Sequence, residues 1–180
     1  MNTERFLDNI TEQIKEAQLK LGFAKEVIRL YFPAASLNIL LDTDCKNAEE
    51  MLACLQQEPV LEDSALGALS FTLCKGERIE VCIPPKGAEY VHEQIADPPF
   101  LKNIVELFSQ NHHLTLEEIR ACFAAYNKEY VCQKMEPGTD FDYVLYFPDK
   151  KPDEWYYCIR MEMGHTIYHR FIEEDYRQLW

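Results

Sequence analysis

The sequence predicts an α+β fold: an antiparallel sheet built from three hairpins, about six strands, packed against several helices. Three observations predict it. Apolar residues before about position 58 recur at helical spacing. Three later pairs of segments alternate apolar and polar residues around short glycine-containing turns. Between them there is no strand–helix–strand alternation of the kind a parallel sheet needs. Residues 1–180 therefore read as a single domain, with a helical N-terminal part over about 1–58 and a mixed remainder.

The elements follow in order. Phe6, Ile10, Ile14, Ala17 and Leu21 mark an amphipathic helix over 3–21, which Gly22 ends. Lys25 to Phe32 suits a helix turn or a strand, and helix is the expectation. Pro33 opens a short helix through Leu41. Asn47 and Glu50 form a helix start of capping-box type, and Pro59 closes that segment. Leu69–Cys74 and Ile79–Ile83 alternate about Lys75-Gly76 as a hairpin, ended by Pro84-Pro85. Helices return from about residue 87. Asp97-Pro98 suits a helix start, and Thr115 with Glu118 is a second capping box. Residues 129–135 and 141–147 flank a Pro137-Gly138 turn, with Phe141, Tyr143, Leu145 and Phe147 on one face. Residues 155–162 and 165–171 flank Gly164, and a short helix begins near Ile172.

Composition sets limits on function. The net charge is −13, from 31 acidic and 18 basic residues, spread evenly over both halves. Phosphate backbones and anionic lipid heads meet a repulsive average field, so neither nucleic acid nor a membrane is an expected partner. Seven cysteines at 45, 54, 74, 82, 122, 132 and 158 show no C-x-x-C spacing, so neither a disulfide framework nor a zinc knuckle is expected. Most read as core thiols in a reducing, cytoplasmic setting. The opening residues carry no apolar run of a secretory signal. No cofactor is expected, and no metal.

The best candidate chemistry lies in His165-Thr166-Ile167-Tyr168-His169-Arg170. On a strand His165, Ile167 and His169 share a face. A two-residue Met163-Gly164 loop pairs Glu162 with His165 and Cys158 with His169. A bulged three-residue loop pairs Met161 with His165 and Tyr157 with His169. The bulged register is the expectation, because it asks a positive φ only of Gly164. The histidines then share an aromatic face with Tyr157. They stand about 13 Å apart, too far to share one metal ion. Tyr157, Arg160 and Tyr168 are the binding candidates on this hairpin.

A second cluster is Glu89, Tyr90, His92 and Glu93. On a helix Glu89 and Glu93 share a face, and a carboxylate there could orient a histidine as a base. The pattern is not H-E-x-x-H, and a solvated helix face is the simpler reading. His112-His113 reads as cationic support at a helix end, and Asp140 with Asp142 as turn chemistry. No phosphate-binding glycine loop or nucleophile-elbow motif appears.

Three blocks, Gly87-Ala-Glu-Tyr-Val-His-Glu93, Phe141-Asp-Tyr143 and His165-Thr-Ile-Tyr-His-Arg-Phe171, resemble a bacterial family, domain of unknown function 3877, over nearly the whole chain. The resemblance implies a bacterial cytosolic protein and brings no established activity and no catalytic residues. The residues themselves favour a non-catalytic binding or regulatory module with an aromatic and His-lined pocket, for a small molecule or a protein. The alternative is a hydrolase using His165 or His169 with a carboxylate such as Glu93 or Glu89. Nucleic-acid binding ranks third, since helix 115–126 carries Glu117 and Glu118 against Arg120 alone.

Overall fold

A computed structural model describes residues 1–179. The chain divides into two compact units, Met1–Asp97 and Pro98 onward. The described residues form eight helices and seven strands, the strands in two antiparallel sheets of three and four. The expectation of about six strands in one sheet is corrected accordingly.

The first unit opens with α1 (Thr3–Leu21). Asn2 accepts the backbone N–H of Arg5 at its start, and Gly22 closes it at φ 71°, a left-handed conformation that glycine adopts without a Cβ clash. Its apolar stripe buries Phe6, Ile10 and Ile14. The segment expected as helix over 25–32 is instead β1 (Ile28–Pro33), paired antiparallel with β3 (Arg78–Ile83). Ile28 and Phe32 turn inward while Arg29 and Tyr31 face water, a period of two that a short apolar run disguises. Then come α2 (Ala34–Leu41), α3 (Ala48–Gln56) and α4 (Pro59–Glu62). Asn47 caps α3, but the Glu50 carboxylate accepts from Lys46 N–H, one residue beyond the reciprocal bond of a capping box. Pro59 starts α4, besides ending the segment before it.

β2 (Ser70–Cys74) completes the sheet in the order β1-β3-β2. Ile79, Val81 and Ile83 of β3 are fully enclosed, and Phe32 meets Phe6 of α1 edge-on with ring centres 5.9 Å apart. α5 (Pro85–Gln94) lies against Leu66 at Gly87, where an added Cβ would stand 2.1 Å from the Leu66 carbonyl oxygen.

The second unit begins with α6 (Pro99–Gln110) and α7 (Leu116–Ala124). Pro98 takes the cap position of α6, and Asp97, expected there, instead pairs with the buried Lys15 ammonium at 3.1 Å. Thr115 and Glu118 form the full capping box of α7. A meander follows: β4 (Val131–Lys134), β5 (Tyr143–Tyr146), β6 (Tyr156–Glu162) and β7 (His165–Phe171), in the order β4-β5-β6-β7, and then α8 (Glu173–Arg177).

Phe100 of α6 is the centre of the core on one face of this sheet. Its ring meets Phe123, Phe147 and Tyr157 edge-on at 4.8, 5.0 and 5.4 Å. Each such contact adds roughly 0.5–1.5 kcal/mol to the area it buries. On the other face Tyr176 of α8 stacks on Tyr156, which stacks on Tyr146, at 4.6 and 4.3 Å. With Met135, Val144 and Cys158 these rings close a smaller core. Phe141 packs against this second cluster and not with Leu145 and Phe147, correcting its expected face.

The register of the last hairpin is also corrected. Glu162 pairs with His165 and Cys158 with His169, so the loop is the two-residue Met163-Gly164 turn. Met163 takes φ 51° and Gly164 φ 79°, the left-handed pair of a type I′ turn. The left-handed conformation costs a side chain such as Met163 roughly 1–2 kcal/mol. The bulged register would turn His165 and His169 toward the aromatic core, and desolvating two imidazoles without partners costs more, roughly 2–7 kcal/mol per polar group.

Candidate functional site

The I′ turn decides what β7 shows to water. Thr166 and Tyr168 face the helices and are buried, whereas His165, Ile167 and His169 are exposed on the opposite face. Antiparallel partners share a face. Glu162, Arg160 and Cys158 therefore stand beside His165, Ile167 and His169 respectively.

The strand before them supplies a hollow. The loop leading into β5 curls over the end of β6, held by two bonds. The Asp142 carboxylate accepts the Met161 N–H at 2.7 Å, and the Thr139 hydroxyl donates to the Phe141 carbonyl at 2.9 Å. Between loop and strand lies an open hollow of about 230 Å3, lined by Thr139, Asp140, Phe141, Asp142, Arg160 and Glu162, with Met161. Arg160 forms an ion pair with Glu162. Three carboxylates surround this one guanidinium, so the hollow offers acceptors in excess of donors. Its apolar wall is Phe141, whose ring meets His169 edge-on at 5.6 Å and Phe171 at 5.7 Å.

His165 has a different neighbour. The loop after α6 brings His113 against it, with ring centres 5.2 Å apart. The His113 Nδ1 also contacts the Gly164 carbonyl of the turn. The expected helix-end role of His112-His113 is corrected: both lie beyond α6, and the His112 carbonyl accepts the Thr166 N–H at 2.8 Å. No local pattern ties position 113 to 165, so only the tertiary fold reveals the pair. Asp140 and Asp142, read from sequence as turn chemistry, are hollow-lining residues as well.

Tyr157 and Tyr168 lie on the inner, buried face of the sheet. Tyr157 is sealed among Phe100, Phe123 and Tyr168, and its hydroxyl donates to the buried Asp153 at 3.1 Å. Burial pushes that phenol well above the usual tyrosine range. Tyr168 meets Phe108 at 4.7 Å on the same inner face. Neither shares the histidines' surface. Glu89, Tyr90, His92 and Glu93 all lie on α5 of the first unit. His92 and Glu93 are exposed there, and Glu89 pairs with Lys25. Among the described residues no group of three or more His, Cys, Asp or Glu is placed to hold a metal ion.

Two of the three blocks that carry the family resemblance thus meet at the Phe141–His169 contact. A family model matches residues 3–180, that of a domain of unknown function, E. rectale gene description (DUF3877). The chain belongs to the DUF3877 family. No curated protein and no solved structure matches it. Among the described residues, no helix of this DUF3877 chain is long and apolar enough to cross a membrane.

Proposed function

We propose that this protein is a cytosolic, non-catalytic binding module whose ligand is a small molecule with a flat ring and a cationic donor group. One observation carries the reading: the Phe141 ring, which His169 meets edge-on from behind the lining, walls a hollow rich in carboxylates. A planar ring could stack beside Phe141 and His169, with an amine or amidine facing Asp140, Asp142 and Glu162. Aromatic and charge-assisted contacts of this kind give orientation as well as affinity. The hollow lies somewhat below the usual drug-site range of roughly 300–1,000 Å3, which suits a compact ligand.

The hydrolase alternative has less support. His165 and His169 are exposed to water, where a base gains little from its surroundings.

Benzamidine tests the reading, with benzoate as the anionic control. In carbon–proton NMR spectra, millimolar benzamidine is expected to shift the His169 and Phe141 ring signals, and benzoate is not. His169→Ala should weaken the effect at Phe141 several-fold. Equal shifts from both probes, or none from benzamidine at saturating concentration, would overturn the assignment.

A further inference from the structure

We propose that Cys45 and Cys54 of the first unit form a reversible disulfide site, closed by a two-electron oxidant of the peroxide class. Their sulfurs stand 3.6 Å apart in the thiol form. A disulfide needs about 2 Å, so the sulfurs must approach by little more than a bond length, a distance that side-chain torsions can supply.

The site is built, because the backbone on both sides is held. Cys45 lies in the connection between α2 and α3, and the Asn38 side chain grips it at both backbone groups. Asn38 Oδ1 accepts the Cys45 N–H and Nδ2 donates to the Cys45 carbonyl, each at 2.8 Å. The same Oδ1 accepts the Thr43 hydroxyl at 2.9 Å. Cys54 is carried by α3, whose start is fixed by the Asn47 cap and by the Glu77 carboxylate, which accepts the Ala48 N–H at 2.9 Å. Two thiols on two anchored segments meet at the surface, and Cys54 is the more exposed of them. Other cysteines contrast with this pair. Cys158 is fully enclosed, and burial keeps Cys122 and Cys132 protonated to higher pH than usual.

The geometry divides the roles. The Cys54 thiolate attacks a peroxide oxygen; an S–O bond forms, the O–O bond breaks, and the departing hydroxide takes up the thiol's proton as water. The Cys45 sulfur then attacks the sulfenic sulfur; the S–S bond forms, the S–O bond breaks, and hydroxide leaves with the Cys45 proton as a second water. The two sulfurs give up two electrons, and the peroxide accepts both. Desolvation and the neighbouring Cys54 sulfur hold the Cys45 thiol above its ordinary range, so its thiolate is scarce and the more exposed Cys54 is the sulfur that meets peroxide first. Close approach favours that step over further oxidation of Cys54. Closed, the link ties the α2–α3 connection to the body of α3; a dithiol reopens it.

Hydrogen peroxide on the folded full-length chain tests this, with the remaining thiols then blocked by iodoacetamide. The expected product lacks two hydrogens in intact mass. Trypsin cuts at Lys46, between the two cysteines, so their peptides stay together only if linked. Fragment spectra should place the link at Cys54 rather than Cys74, and dithiothreitol should dissolve it. Cys45→Ser should leave Cys54 to stop at sulfenic acid or proceed to sulfinic acid. Overturning results would be a link between other cysteines, or Cys54 oxidised to sulfinic acid in the unaltered protein while Cys45 still alkylates. So would both thiols remaining alkylatable after peroxide treatment.

Discussion

Cys158 shows how one enclosed side chain writes a pH dependence into the fold. It has no solvent exposure, and burial pushes its thiol up to about 12. In the unfolded chain a cysteine ionises near 8.5. The unfolded state therefore loses this proton first as pH rises. Stability is full below about pH 8.5 and falls through the alkaline range, by up to about 1.4 kcal/mol per pH unit from this group, until the folded thiol also ionises. Urea denaturation at several pH values between 8 and 11 should show a steeper alkaline loss in the native sequence than in Cys158→Ala. Equal slopes would mean that the thiol is not the titrating group. At this scale the expectation that most cysteines are core thiols is corrected: Cys158 alone is buried, five are half-buried and Cys54 is exposed, because a short apolar run does not say which side of its helix or strand meets the core. Nor does the spacing of nine between Cys45 and Cys54 say that a loop bends back upon its following helix.

Elements were legible where local signals agree and obscure where pairing decides. Gly22, Asn47, Thr115 and Glu118 mark helix ends by chemistry that acts within a few residues, and the structure uses each of them so. Residues 28–33 carry no such signal. Ile-Arg-Leu-Tyr-Phe is too short to show its period, and its conformation is settled by a partner strand some fifty residues away. The β6–β7 turn is illegible in the sequence because a positive φ at Met163 is visible as a cost, whereas the larger cost of facing two imidazoles inward appears only once α6 and α7 lie on the sheet. That turn yields a prediction. Met163→Asn places Asn-Gly, the preferred type I′ pair, at φ values already present, and Met163 is 92% exposed, so little packing is lost. Thermal unfolding should show a gain of roughly 0.5–1 kcal/mol, since the left-handed strain is partly relieved. A loss of that size would argue for the bulged loop after all.

For the whole molecule, the fold class was readable and the division of strands was not. Alternating segments announce strands, but nothing in the alternation says that β1 joins the first hairpin to make a three-stranded sheet while the later strands form a four-stranded one. Charge acts at this scale too. A surface carrying −13 should repel a polyanion at every orientation on average. A fluorescently labelled mixed-sequence duplex should therefore show no change in anisotropy with this protein at moderate salt. Binding that strengthens as salt is lowered would reveal a basic patch strong enough to defeat the mean field.

The contact between the α6–α7 loop and β7 has its own consequence. β7 is the last strand of its sheet, and such a margin is an invitation for a neighbouring polypeptide to zip on. The main-chain donor of Thr166 is already taken by His112, and its hydroxyl by the Leu114 carbonyl at 2.7 Å. The fold thereby supplies its own blunt stop against fibre-like growth from that margin, and leaves the four-residue β4 as the shorter, less tempting one.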